Sequence, residues 1–375
     1  MRIVFVIDQV YRHGGIERVL SIKANYLANI PDYNIYILTN EQKNKNRCYE
    51  FDNKITFKDL AINYRRELSY FHPFNLIKIP NHIVKVKKSL KTINPDVIVV
   101  CSHSVDTYFL PFIKKSIPKV KEFHYSKFIE ENIRETKKPR FKHLFLKFAD
   151  YVESKYHNLV VLNNMEASFY KSNNVEVIPN PLTFYPETVS KLDDPIVISA
   201  GRIAPVKRYD VLIDIWELVH KKNKTWQLHI YGSGEPNYMK KLQAQIDNKK
   251  LNKTIILKGA TDQIQNKMLH SSIFAMTSDN ECFPLVLLEA QACGLPIVAL
   301  DCPYGPKNII SSENGVLIKM NDNEGFAQAI LDMISSHSKR KKFGENARQN
   351  ANNYGIDKVM HKWISMFNEL IKVKQ

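Results

Sequence analysis

The chain has 375 residues, 44% of them hydrophobic, 25% charged and 11% aromatic, with 12 glycines and 17 prolines. This is enough apolar material for two domain cores and excludes disordered, collagen-like or linker-dominated chains. The net charge is +16, and residues 65–147 supply most of it, with 18 Lys/Arg against 7 Asp/Glu. An excess confined to one segment predicts a surface facing something anionic, and without an RNA-binding aromatic signature a membrane surface or phosphate-bearing substrate fits better than nucleic acid. No apolar run reaches the ~18–20 residues of a membrane-spanning helix. The opening MRIVFVIDQ meets Asp8 too early for a secretion signal. Five cysteines (48, 101, 282, 293 and 302) lack C-x-x-C spacing, so neither a disulfide framework nor a zinc site is expected. A reduced, cytoplasmic setting follows.

In chain order, strand-like runs are Ile3–Ile7, Asn34–Leu38, Val97–Cys101, Val120–Phe123, Leu159–Leu162 and Val175–Ile178. Helical patterns lie between them at Ile16–Ala28, Leu76–Leu90 and Phe141–Tyr156. Residues 179–195 carry four prolines and no regular period, which reads as a linker. Strands resume at Ile196–Ala200, Leu228–Tyr231, Ile255–Leu257, Ile273–Met276, Ile297–Leu300 and Val316–Ile318, with a helix marked by Val211, Leu212, Ile215, Leu218 and Val219. Apolar strands without polar alternation belong to parallel sheets covered by helices on both faces. Two such series predict two doubly wound α/β domains, residues 1–180 and 181–355, and an amphipathic tail, residues 356–375, that follows the second sheet and is expected to pack across the joint between them.

Five places could carry chemistry. Gly14-Gly15 follows the first strand and opens a helix, which suits an anion, although a plain tight turn explains it as well. Gly201-Arg202 through Lys207 sets cations at the carboxyl end of the second domain's first strand, where open α/β sheets bind ligands. Glu281-Cys282-Phe283-Pro284-Leu285-Val286 leads into an apolar helix, with Pro284 expected at its first position and Glu289 in its second turn. A carboxylate in such a helix needs a partner: sugar hydroxyls, a cation or a structural salt bridge. Gly232-Ser233-Gly234 lacks a third glycine and alone is only a turn, and His124 ends a first-domain strand.

In order, Gly14-Gly15-x-Glu17-Arg18, Gly201-Arg202 with Lys207, Gly232-Ser233-Gly234 and Glu281-x7-Glu289 before Ala292-x-Gly294-x-Pro296 resemble glycosyltransferase family 4. The match covers about residues 196–335 and is looser in the first domain. The resemblance implies a GT-B fold, two Rossmann-like domains facing a central cleft, with nucleotide-sugar donor on the second, acceptor on the first, and the last helix, residues 356–375, returning to the first. It implies that Arg202 and Lys207 grip the donor diphosphate, helped by backbone N–H groups around Phe283, Pro284, Leu285 and Val286, by the Gly14-Gly15 turn and by the Gly232 loop. Glu289 then binds ribose hydroxyls, Glu281 positions the transferred sugar, and His124, with His103 as competitor, is the cleft histidine. The loop Cys302–Lys307 resembles members acting on UDP-activated hexoses or N-acetylhexosamines.

The function expected from this resemblance is retaining transfer from a UDP-sugar to a glycan or lipid-linked acceptor in bacterial surface-polysaccharide assembly, such as capsule, O-antigen or lipopolysaccharide. No cofactor and no metal are expected, since no Asp-x-Asp stands at a suitable place. The basic segment is expected to touch an anionic membrane peripherally. The alternatives are a nucleotide-sugar epimerase of the same architecture, and a non-enzymatic basic module binding anionic lipid or nucleic acid.

Overall fold

The computed structural model describes residues 1–70, 72–101, 104–128, 130 and 140–372. The chain divides into two compact units, Met1–Pro181 with Asp357–Gln375, and Leu182–Ile356.

The first unit contains, in chain order, β1 (Arg2–Ile7), α1 (Gly15–Ala28), β2 (Asn34–Thr39), β3 (Thr56–Asp59), α2 (Pro73–Leu76), α3 (Ile79–Ile93), β4 (Val97–Val100), α4 (Asp106–Phe109), β5 (Lys119–Glu122), α5 (Arg140–Glu153), β6 (Asn158–Val161), α6 (Asn164–Ala167) and β7 (Val175–Val177). Its strands form one parallel sheet, ordered β3-β2-β1-β4-β5-β6-β7. β1 and β4 are buried on both faces, as their unbroken Val/Ile runs require. β3 gives no such signal, because TFKD is an edge strand with an exposed, polar pattern.

The pattern Leu76–Leu90 divides into two helices around Ile77 and Lys78. Pro73 and Pro80 each stand within the first two positions of a helix, where a missing N–H costs nothing. Val86 and Leu90 of α3, Val152 of α5, and Ile113 and Ile117 of the segment between α4 and β5 share one cluster with Val4, Val6 and Ile98. Both helices therefore cover the same sheet face.

The second unit contains β8 (Ile196–Ala200), α7 (Tyr209–Lys222), β9 (Gln227–Tyr231), α8 (Pro236–Asn248), β10 (Ile255–Gly259), α9 (Ile264–Leu269), β11 (Ile273–Met276), α10 (Leu285–Ala292), β12 (Ile297–Leu300), β13 (Gly315–Ile318), α11 (Asn323–Ser335) and α12 (His337–Ala351). Its parallel sheet is ordered β10-β9-β8-β11-β12-β13. Leu212, Ile215, Trp216 and Val219 of α7 pack with Val197, Leu228 and Ile230 of the sheet and Phe326 and Ile330 of α11. Each such side chain contributes about 1.5–3 kcal/mol on burial. The last helix, α13 (Ile356–Lys372), belongs to the first unit from Asp357 onward.

Residues 179–195 form no strand or helix, but they are not a free tether. From Leu182 they are strapped to the second unit: Ser190 donates to the Cys293 carbonyl (2.9 Å), and the buried Arg340 guanidinium donates to the Leu192 carbonyl (2.9 Å). Among the described residues no helix is long and apolar enough to cross a membrane, and all five cysteines are free thiols.

Candidate active site

In each sheet the strand order reverses at a switch point, β1/β4 in the first unit and β8/β11 in the second. The crevice beyond the carboxyl ends of such a strand pair is where open α/β sheets take ligands. The segments after β8 and β11 carry most of the candidate residues of the second unit.

Beyond β8, Gly201 leads to the exposed Arg202 and to a 3-10 turn, Pro205–Lys207. Lys207 Nζ lies 2.5 Å from Glu281 Oε1, beyond β11, and Ser278 Oγ donates to the same oxygen (2.7 Å). Glu281 is also bridged in parallel to Tyr304, which places the loop Cys302–Lys307 alongside it. Two contacts to backbone carbonyls fix this geometry: Asp279 N donates to that of Val206 (2.8 Å), and the Thr277 hydroxyl to that of Arg208 (2.9 Å). Arg208 itself pairs with Asp279 (2.9 Å). The structure thus brings Lys207 and Glu281 together, while Arg202 forms no ion pair among the described residues.

The glycines after β9 serve a packing role that their spacing did not reveal. A Cβ at Gly234 would stand 1.9 Å from the Ile203 carbonyl oxygen, and one at Gly232 would stand 1.9 Å from that of Gly201. Ile203 N donates to the Ser233 carbonyl (2.8 Å), so the two loops lie backbone to backbone. Only glycine permits that approach.

Pro284 is not the first residue of α10 but its N-cap, extended at φ −73° and ψ 96°, and the helix starts at Leu285. Phe283 and Pro284 are buried, while Leu285 and Val286 are partly exposed. The first N–H groups of a helix lack intrahelical acceptors, which makes this end suited to an anion. Glu289 is buried at 2% exposure and accepts from Thr183 Oγ1 (2.6 Å), so its partners include a hydroxyl of the 179–195 segment.

In the first unit Gly14 is the N-cap of α1 and Gly15 its first residue. A Cβ on Gly14 would strike the Glu17 carboxylate, whereas Gly15 faces open space. Glu17 also accepts from Gln9 Nε2 (2.5 Å), and burial raises its pKa. The chain's own carboxylate therefore lies over the helix end proposed for an anion.

His124 follows β5, and its Nε2 donates to Glu122 Oε2 (2.9 Å). Burial pushes its pKa below the ordinary histidine range despite that carboxylate. Glu122 opposes its own burial through Lys23, which pairs with the same oxygen (2.5 Å), and through His124, which together hold it at about 2. Lys23 in turn lies 4.2 Å from the Trp363 ring of α13. His103, the competing position, lies outside the described residues.

Sequence reasoning missed a polar network at the β1/β4 switch point. Asp8, the residue after β1, pairs with Arg66 (3.1 Å) and accepts from Tyr70 (3.2 Å). Asn40 bridges to Asp106 (2.5 Å), which also holds Ser104 (2.7 Å) and the fully buried His82 (2.9 Å). Burial raises the Asp8 pKa; Asp106, more deeply buried, is held below the usual range by His82 and its hydrogen bonds. The available signal was an acid directly after the first strand. Farther out on the same sheet, a groove of about 800 Å³ opens between the ends of β2 and β3, with Gln42, Asn44, Tyr49, Phe51, Phe57 and Asp59 in its wall.

Two parallel-sheet α/β units, of seven and six strands, constitute the GT-B fold of glycosyltransferases. Residues 184–350 match the family described as "Glycosyl transferases group 1", so the second unit carries that domain. An uncharacterized glycosyltransferase of Haemophilus influenzae is 32% identical over 197 residues, 52% of this chain and 55% of the relative. The poly(ribitol-phosphate) alpha-N-acetylglucosaminyltransferase of Staphylococcus aureus is 33% identical over 214 residues, 56% of this chain and 42% of the relative. The chain thus spans about half the length of these two relatives. It covers 99% of the amylovoran biosynthesis glycosyltransferase AmsD of Erwinia amylovora, at 27% identity over 98% of its own length.

Among solved structures, Anabaena HepE in complex with UDP-glucose matches with a TM-score of 0.77 at 18% identity, covering 98% of this chain and 100% of that one. The lipopolysaccharide outer core galactosyltransferase WaaB matches with a TM-score of 0.73 at 18% identity over 100% of both chains. Likeness at these identities is likeness of fold.

Proposed function

We propose that this chain is a retaining glycosyltransferase of bacterial polysaccharide assembly, acting in the cytoplasm at the inner face of the membrane. It moves a hexose or N-acetylhexosamine from a UDP-sugar to a glycan or lipid-linked acceptor, without metal or cofactor. The observation that carries this reading is the Lys207–Glu281 pair at the β8/β11 switch point, beside the N-terminus of α10. The glycosyl transferases group 1 match over the same residues supports it, as do the names of AmsD and the Staphylococcus aureus enzyme. The UDP-glucose bound by HepE favours the donor class.

Breaking the bond between the anomeric carbon and the donor phosphate leaves negative charge on the diphosphate. Lys207, Arg202 and the α10 N–H groups are fixed donors for that charge, and donors placed in advance lower such barriers by several kcal/mol. Glu281, held by Lys207 and Ser278, accepts hydrogen bonds from the sugar, and Glu289 accepts from the ribose. The acceptor oxygen bonds to the anomeric carbon on the face the phosphate leaves, and its proton passes to the departing phosphate oxygen, which gives retention. A glycosidase would instead need two carboxylates flanking one bond. His124, neutral through burial, orients the sugar, and the groove by Tyr49, Phe51 and Phe57 offers the aromatic faces and amides that bind glycans. The basic surface meets an anionic membrane.

Thermal shift against UDP, GDP, ADP, CMP and dTDP tests the proposal. Ligand at ~100 times its dissociation constant stabilises by roughly 2.7 kcal/mol. A UDP-selective shift lost in Glu289→Ala and reduced in Lys207→Ala supports the donor site, and no shift with any nucleotide overturns it.

A further inference from the structure

The sequence places a basic excess in residues 65–147, but its cations divide into two kinds. Lys119, Lys121 and Lys127 are buried, and their ammonium groups are used inside the first unit. Lys119 donates to the Lys114 and Ile117 carbonyls (2.9 and 2.8 Å), Lys121 donates to the Glu122 carbonyl (2.9 Å), and Lys127 pairs with Glu153. These three offer nothing to a partner. The exposed cations are ordered differently. On α3, Val84, Lys87, Lys88 and Lys91 follow i, i+3, i+4, i+7 and are all exposed; on α5, Leu144, Lys147, Phe148 and Tyr151 repeat that spacing and are exposed too. One stripe on each helix results.

The two stripes lie on one side of the first unit, since α3 and α5 cover the same sheet face. The segment between them links them: Lys114 Nζ donates to the Leu90 carbonyl at the end of α3 (3.3 Å), and the exposed Phe112 stacks on Tyr151 of α5 with centroids 6.2 Å apart. Lys155 lies 4.8 Å from the same tyrosine ring. Acids are few on the two helices. α3 contains none, and the two of α5, Asp150 and Glu153, both turn to the buried Lys127. Among the described residues eleven large apolar side chains are exposed, and eight of them lie between Phe74 and Tyr151. Apolar exposure and unopposed positive charge therefore coincide.

We infer that this α3–α5 face is a membrane-docking surface, in which Leu144, Phe148, Phe112 and Val84 enter the acyl boundary while Lys87, Lys88, Lys91 and Lys147 bind anionic headgroups. A nucleic acid would satisfy the lysines and leave the leucine and the phenylalanines in water; an anionic bilayer satisfies both. Each lysine near such a surface raises binding about fivefold, and screening by salt weakens it. The inference specifies the membrane contact of the proposed function and rests on that reading for its purpose, but not on the donor site.

The test is flotation of the full chain with vesicles of phosphatidylcholine, with and without phosphatidylglycerol, at low and high salt. Binding should require phosphatidylglycerol and fall by roughly a hundredfold in the triple variant Lys87→Gln/Lys88→Gln/Lys91→Gln. Insertion is read separately in Phe148→Trp, whose fluorescence should be quenched by lipids brominated on the acyl chains. Binding indifferent to phosphatidylglycerol, an unaffected triple variant, or absence of quenching each overturns the inference. Salt-sensitive binding to duplex DNA that depends on the same lysines, without quenching, assigns the face to nucleic acid and overturns it too. A UDP thermal shift on each variant shows that it is folded; vesicle binding without any UDP shift in the parent chain would remove the donor reading and leave this one standing.

Discussion

Replacing Lys23 with methionine should destabilise the first unit by about 3–5 kcal/mol, the usual cost of leaving a buried charge without its partner. Lys23 and Glu122 are 2% and 3% exposed at the side chain, and their pairing is the shortest charged contact around His124. Burial alone would lift the Glu122 carboxyl above its ordinary 4.5, yet Lys23 and His124 hold it at about 2. At ~1.4 kcal/mol per unit, a depression of this size corresponds to roughly 3 kcal/mol of folding free energy, in line with the first figure. Because the folded value is depressed, this contribution is complete above the unfolded carboxylate range and is lost as pH falls from 4.5 through about 2.

Hydrogen exchange of the β5 amides measures opening of the first unit without averaging over the second. Exchange there should accelerate by roughly a hundredfold or more at neutral pH in Lys23→Met. The β8 and β9 amides serve as an internal reference. The double variant Lys23→Met/Glu122→Gln should recover part of the loss, since the orphaned charge is gone. Exchange in Lys23→Met within a few fold of the parent chain would refute the reasoning, as would a double variant no better than the single.

Gly234→Ala should force the 201–203 and 232–234 loops apart, abolishing the UDP shift while circular dichroism still reports a folded chain. Arg340→Ala removes donors to the Leu192, Met333 and Ile334 carbonyls; urea unfolding should show a loss of about 2–4 kcal/mol. An NMR titration should find His124 neutral at pH 7 with a midpoint below 6.5, so that its protonation destabilises the fold on the acid side, and a midpoint above 6.5 contradicts the burial argument.

The strands were legible because burial on both faces removes the need for polar alternation, and runs such as Val97–Val100 have no other stable place. β3 was not legible, since an edge strand with one half-buried phenylalanine needs no apolar run. The break at Ile77–Lys78 was hidden by apolar spacing that continues across it, although Pro80 marked it. At the candidate site, the approach of Lys207 to Glu281 depends on a 74-residue separation that no local spacing reports. The Gly232–Gly234 pair was visible as a motif, but its reason was not: the atoms those glycines avoid are the carbonyls of Gly201 and Ile203, on a different loop. The network of Asp8, Asn40, Arg66 and Asp106 likewise draws on four separate segments.

Charge count misled most where a cation had a private use. Lys119, Lys121 and Lys127 contribute to the excess of residues 65–147 exactly as the exposed lysines do, yet each is spent inside the fold, and burial lowers the first two to about 8. What separates the two kinds is position relative to the sheet. Lys119 and Lys121 belong to a strand covered on both faces, so their ammonium groups must find carbonyls or carboxylates within the unit. Lys87, Lys88, Lys91 and Lys147 stand on the outer sides of helices, and among the described residues they form no ion pair. The same criterion applies in the second unit, where Lys207 is only partly exposed and already paired. A donor diphosphate would therefore have to compete with Glu281 for Lys207, whereas Arg202 meets it with no pair to break. Lys207→Ala should accordingly weaken UDP binding less than its position suggests, and Arg202→Ala more; equal losses in the two would mean that the Glu281 pair is kept in the bound state.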